Sequence, residues 1–189
     1  MFIDKLTENF NINEPIFTEE ILDLFKEYSR AQVFRYIDKA KENKKIPFPQ
    51  ANDFNKIFKL ICLEDQSKIK DKSYLMKYLS LGSERQISYY ISACEFLGIL
   101  NHNREYTNIG NKIRNASTDF KILLICERII SLPVFGEIFF LKYLYDEILS
   151  QDDISQLIST IYGINNFEVC KRRASTVIKW LKWIEENKK

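Results

Sequence analysis

Apolar residues recur at three- and four-residue intervals through nearly all of this 189-residue chain, and only five glycines and four prolines interrupt them. An amphipathic helix presents that spacing to a core, and so few breakers leave room for long helices with short connections. Helices are predicted over Phe17 to Phe25 behind Thr18, Ser29 to about Asn43, Phe54 onward behind Asp53, Tyr74 to Leu79, and Ser83 to about Phe96. Further helices are predicted over Phe120 to Ile130, Pro133 to Leu149, Asp152 to Tyr162 and Phe167 to about Glu186. Ile46-Pro47-Phe48-Pro49 should be extended, because each proline disfavours helix at the residue before it, and it is the best linker candidate. Ile99-Leu100 and Glu105-Tyr106-Thr107 flank the polar turn Asn101 to Arg104 and read as a β-hairpin.

Two of these helical stretches echo each other. LDLFKEYSRAQVFRYIDKAKENKKI (22–46) and MKYLSLGSERQISYYISACEFLGIL (76–100) align without a gap at an offset of 54 positions. Ser29 falls on Ser83, Gln32 on Gln86, Val33 on Ile87, Tyr36 on Tyr90 and Ile37 on Ile91. Each copy has a short helix, a tight turn and a longer Ser-capped helix, which is the helix-turn-helix plan. Val33/Ile87 and Ile37/Ile91 would face the supporting helix. Arg30, Ala31, Phe34 and Arg35, or Glu84, Arg85, Ser88 and Tyr89, would face outward. A weaker third version, DDISQLISTIYGINNFEVCKRRASTVIKWLKWI, turns at Gly163-Ile164-Asn165 with Asn165 in the place of Ser83. Its expected outward set is Asn166, Phe167, Cys170, Lys171 and Arg172, with Arg173 alongside.

The net charge of +2 is too mild to define a partner, so its location must decide. From Lys171 to Lys182 the last helix carries five basic residues and no acidic one, whereas Glu19, Glu20, Asp23, Asp152 and Asp153 sit in supporting helices. Phosphate neutralisation contributes much of DNA affinity, so segregated positive charge is what a nearly neutral DNA binder requires. Gln32 and Gln86 have two open roles: reading adenine, or stabilising the turn. Trp180 and Trp183 share a face with Val177, Leu181 and Ile184 and read as core. His102 reads as a polar turn residue.

Chemistry is poorly represented. The four cysteines stand far apart in helical segments and the single histidine lies in a turn, against a zinc site, a disulfide framework or a nucleophile-histidine pair. No glycine-rich phosphate loop occurs. Asp152-Asp153 is the only acidic doublet suited to a metal nuclease, and it fits a helix N-terminus better. Buried free thiols, no enzymatic activity, no cofactor and no metal are therefore expected. MFIDKLTENF lacks a signal peptide's apolar core, and no apolar run reaches the ~20 residues of a membrane span. A cytoplasmic protein without membrane association is expected.

PQANDFNKIFKL, SERQISYYISACEFLGIL with REYTNIGNKI, LPVFGEIFFLKYL and RRASTVIKWLKWI together resemble the helical winged-helix DNA-recognition module of type II restriction endonucleases and restriction-modification associated proteins. The resemblance covers about residues 47–189, and its last motif is the most specific. It implies that Arg85, Gln86 and Tyr89, and Lys171, Arg172 and Arg173, lie in two DNA-facing helices. The nuclease core is missing, so it implies a recognition module, an excised domain, or a partner of a nuclease or methyltransferase subunit. The N-terminal segment 17–46 is similar to the helix-turn-helix of bacterial regulators and defence proteins.

The expected fold is mainly α, with three helix-turn-helix units, two of them winged-helix-like with a short β-hairpin wing. The expected domains are 1–46, 47–115 and 116–189. The expected function is sequence-specific double-stranded DNA binding through Arg30, Arg35, Arg85, Gln86, Tyr89, Arg104, Lys171, Arg172 and Arg173. A transcriptional regulator and a winged-helix protein-interaction adaptor are the alternatives. A homodimer through the apolar 133–149 helix is also open.

Overall fold

A computed structural model describes residues 47–187, so the expected 1–46 unit, with Arg30, Arg35 and the first copy of the echo, lies outside the described residues. The described chain is mainly helical. Its α-helices are α1 (Phe54–Ile61), α2 (Lys72–Tyr78), α3 (Glu84–Phe96), α4 (Asn108–Asn115), α5 (Thr118–Ile130), α6 (Pro133–Tyr145), α7 (Gln151–Tyr162) and α8 (Phe167–Asn187), with a 3-10 turn at Gln66–Lys70.

The longest helix, α8, organises the rest. Trp180 and Ile184 are fully buried and Trp183 nearly so, as their spacing predicts. A second residue type shares that buried side. Arg173, Thr176, Trp180 and Trp183 succeed one another at three- and four-residue steps, so they form one stripe. Along it runs the extended segment before α1. Trp180 Nε1 donates to the Ala51 carbonyl at 2.8 Å, Trp183 Nε1 to Asn55 Oδ1 at 2.9 Å, and Thr176 Oγ1 to Asn52 Oδ1 at 2.6 Å. Phe54 packs edge-on to Trp180 at 5.0 Å and on Trp183 at 4.4 Å. Burying one tryptophan removes about 150–250 Å² from water, worth about 4–6 kcal/mol before ordering entropy is charged.

This packing corrects the linker expectation. The backbone from 47 to 53 has no regular secondary structure, as the prolines require, but Phe48 is only 4% exposed and Ala51 2%. Phe48 meets Phe96 of α3, Phe135 of α6 and Tyr162 of α7 at ring distances of 5.4, 5.7 and 4.8 Å. An aromatic side chain between prolines is a core anchor here. One hydrophobic core thus crosses the expected 115/116 boundary, joining Leu60, Ile91 and Leu97 to Ile125, Phe135 and Trp180.

Local signals explain most helix ends. Gly98 and Gly163 take left-handed φ of 70° and 64° where α3 and α7 end. Pro133 starts α6, but that helix stops at Tyr145, short of the expected Leu149. Asp146 turns left-handed there (φ 55°) and the Glu147 N–H reaches back to the Leu141 carbonyl at 2.9 Å. Ser150 and Asp153 then form a reciprocal capping box on α7, so Asp153 belongs to a helix start as its position predicts. Ser83 occupies the N-cap of α3 without a side-chain hydrogen bond, contrary to expectation. At α8 the cap is Asn166, whose Oδ1 accepts from the Val169 N–H at 3.1 Å, and not Asn165.

The expected hairpin is reduced to a single antiparallel bridge, Leu100 with Tyr106, and no strand occurs among the described residues. Asn101 closes the turn too tightly for a ladder: its Oδ1 accepts from the N–H groups of both Asn103 and Glu105. Immediately afterwards Thr107 starts the unanticipated α4, its Oγ1 accepting from the Gly110 N–H at 3.0 Å. Gly110, inside α4, is needed for close approach. A Cβ there would lie 2.1 Å from the Ile99 carbonyl oxygen. Gly110→Ala should therefore destabilise the fold by about 1–3 kcal/mol, as overpacking does, read as a lowered urea midpoint with an unchanged slope.

Candidate nucleic-acid interface

Helix α3 has one buried and one outward side. Ile87, Tyr90 and Ile91 are buried, as the echo requires, while Glu84, Arg85, Gln86 and Ser88 are exposed. Arg85 lies over the ring of Tyr89, 5.6 Å from its centroid. Tyr89 and Phe96 are two turns apart on one face, and Phe96 meets Phe48 and Tyr162, so this face of α3 turns toward the α7–α8 side.

Segment 47–53 links the two helices. Phe48 packs on α3, and two residues later the Gln50 amide oxygen accepts from Nη1 and Nη2 of Arg173, both at 3.2 Å, in the orientation those donors require. Arg173 is half-buried, and burial lowers its pKa, joined by the neighbouring Arg172 charge and opposed by Tyr89 and Cys170. A guanidinium remains a cation regardless. Tyr89 of α3 thus stands within electrostatic reach of Arg173 of α8. Arg85 lies one turn from Tyr89 on α3, and Arg172 precedes Arg173 on α8.

The other expected residues are distributed differently. Lys171 is drawn to its own surroundings: Nζ is 3.4 Å from Asp152 Oδ1 and 4.9 Å from the Phe167 ring centroid. Arg172 is exposed and makes no ion pair among the described residues. Arg104 sits in the turn with φ 60°, half-buried near Glu95 of α3. Burial raises the Glu95 carboxyl pKa against the opposing charges of Arg104 and His102. Cys170, expected among the outward residues, is fully buried, because it follows Val169 onto the core side of α8.

Gln86 has its role fixed by geometry. Its Oε1 accepts from the Gly82 N–H at 2.9 Å, holding the α2–α3 turn from inside α3. Gln50 is the residue that the periodicity argument missed. A signal was present: polar Gln50, Asn52 and Asn55 in a proline-bounded segment, and buried indole N–H groups elsewhere that need acceptors.

The thiols are free. Cys94, Cys126 and Cys170 are buried and Cys62 half-buried. Burial pushes all four pKa values upward, Cys126 to about 12. Among the described residues no group of three His, Cys, Asp or Glu is placed to hold a metal ion. No helix among the described residues is long and apolar enough to cross a membrane.

Residues 56–189 match the model of a domain of unknown function, DUF7226, and the chain belongs to that family. No curated protein and no solved structure matches it.

Two outcomes follow from this geometry. Gln86→Ala should lower stability by about 1 kcal/mol, the net worth of one hydrogen bond, in a urea melt; an unchanged midpoint would free Gln86 for another role. In native protein at neutral pH a thiol reagent should modify Cys62 alone, and slowly, with all four thiols reacting once the chain is unfolded; mass spectrometry of the adducts distinguishes these.

Proposed function

We propose that this chain is a sequence-specific double-stranded DNA-binding protein and the DNA-recognition part of a restriction or defence system, acting in the cytoplasm beside a nuclease or methyltransferase and without catalysis of its own. In this reading α2, the connection 79–83 and α3 form one helix-turn-helix, with the Leu100–Tyr106 bridge as the base of a one-rung wing. Helices α7 and α8 form another, and the N-terminal segment supplies a third.

The observation that supports the reading is the set of arginines left without a carboxylate on α3 and α8. Arg85 is exposed and lies over Tyr89 on α3, and Arg172 is exposed beside Arg173 on α8. The carboxylates beside them are drawn to lysines, Glu84 to Lys72 and Asp152 to Lys171. Arg85, Arg172 and Arg173 have no carboxylate partner among the described residues. Positive charge so placed anchors phosphates, and the first turns of α3 and α8 supply groups for base edges. A transcriptional regulator would use the same surface in the same way.

The adaptor reading has one observation of its own. Phe167 and Ile178, 46% and 41% exposed, lie three turns apart on one face of α8 and could seat an apolar partner.

The protein should bind a duplex at low salt with affinity falling as salt rises. Arg85→Ala and Arg172→Ala should each weaken it about tenfold, at the lower end of the ~1–3 kcal/mol range for such contacts, with unchanged melting because both side chains are exposed. Fluorescence anisotropy across a salt series checks this. No duplex binding at low salt would favour the adaptor.

A further inference from the structure

Along the start of α3, from Glu84 to Tyr89, only Ile87 is buried. Two of the outward side chains are committed within the protein. Glu84 Oε2 lies 3.1 Å from Lys72 Nζ of α2, and Gln86 Oε1 accepts from the Gly82 N–H at 2.9 Å. Ser88 is exposed, but a hydroxyl both donates and accepts and so separates base edges poorly. Arg85 remains, exposed and without a carboxylate partner among the described residues. Its guanidinium lies 5.6 Å from the centroid of the Tyr89 ring, one turn further along the helix. Helical spacing puts this pair on the side of α3 opposite the buried Ile87, Tyr90 and Ile91.

Resting on the DNA-binding reading, we infer that Arg85 is the base-reading residue of α3, that its target is one guanine in the major groove, and that Tyr89 is its positioning residue. A phosphate can be anchored by a point charge, which needs no fixed plane. A base edge is read by geometry, and the planar guanidinium fork matches O6 and N7 of guanine two at a time. A ring against the flat face of that fork sets its plane before DNA arrives and leaves the in-plane N–H donors open, so less ordering entropy is spent on binding. In a helix that occupies a major groove, the outward residues of the first turns are the ones that meet base edges. Arg172 is the contrasting cation: it is exposed and lies over no ring among the described residues, so it anchors a phosphate.

The probe is a pool of duplexes with a randomised central segment, from which the whole chain selects a preferred site at low salt. Each base pair of that site is then changed singly, and affinities and melting curves are recorded for the wild type and each variant. In the wild type, replacing one G·C pair should cost about tenfold or more, as loss of a bidentate base contact does. Arg85→Ala, and Arg85→Lys, which keeps the charge and removes the fork, should each lose about tenfold on the selected site and nothing further when that pair is replaced. Arg172→Ala should weaken all sites evenly and reduce the salt slope. Tyr89→Leu should flatten the preference at the same pair and Tyr89→Phe should keep it; a Tyr89→Leu profile equal to that of the wild type would overturn the positioning role. An even loss across all sites for Arg85→Ala, a base-pair profile that Arg85→Lys leaves unchanged, or a selection that enriches no site would overturn guanine reading by Arg85 while leaving DNA binding intact. A wild-type chain that binds no duplex at low salt would overturn both.

Discussion

The docking of segment 50–55 along α8 is the interaction on which the rest depends. Three side-chain hydrogen bonds on the Thr176, Trp180 and Trp183 positions, and the Phe54 ring between the two indoles, join residues more than 120 positions apart. Closing so long a loop costs chain entropy that grows only slowly with length, so a compact buried cluster can offset it. Its polar atoms are all partnered: among the described residues no buried side-chain nitrogen or oxygen lacks a hydrogen bond. With that seam made, Phe48 is carried against α3, α6 and α7 together. The placement of α3 relative to α8 follows from the seam and needs few direct contacts between them.

The turn after α3 is built with the same economy. The Tyr106 hydroxyl donates to the Leu60 carbonyl at 3.0 Å, and the Arg114 side chain donates to the carbonyls of Leu63 and Glu64 beyond α1. The half-buried Arg128 donates through Nε to the Leu97 carbonyl at 2.6 Å, placing a cation at the C-terminus of α3 where the helix dipole is negative. Burial lowers the Arg128 pKa, the mark of a cation paid for by structure. Several arginines and tyrosines that a motif reading could assign to a ligand are therefore committed to carbonyls left open at helix ends. Arg85, Arg172 and Arg173 differ: among the described residues none is paired with a carboxylate, and Arg173 is held by the neutral Gln50 amide.

How much was legible in the sequence divides along physical lines. Helix positions and inward faces rest on local periodicity, and Ile87, Ile91, Trp180 and Trp183 are buried as spacing requires. Partnership is a tertiary property and was not legible. Phe48 between prolines carries the local signature of a linker, and only the distant rings of Phe96, Phe135 and Tyr162 make it core. Gly110 carries the signature of a turn, and only the Ile99 carbonyl shows that it is a contact surface inside α4. Gln86 at an outward position could read a base or brace a turn, and the Gly82 N–H decides between them. Of the candidate site, the residue types on α3 and α8 were legible one helix at a time. The hold of Gln50 on Arg173 was not, because it depends on the seam that carries segment 50–55 along α8.

That dependence changes what the most specific motif can be taken to mean. In RRASTVIKWLKWI the second arginine, the threonine and both tryptophans face segment 50–55, so most of what makes the motif distinctive is used in building the fold. A chain sharing those residues would share the seam and the spacing of α3 from α8. It would not thereby share a target, because Arg85, Ser88 and Arg172, exposed on the other sides of the same helices, take no part in the seam. Exposed positions can vary at little cost in stability, whereas Trp180 cannot, since removing it leaves the buried Ala51 carbonyl without its hydrogen bond. The residues that build the seam and the exposed residues therefore lie on opposite faces of α8.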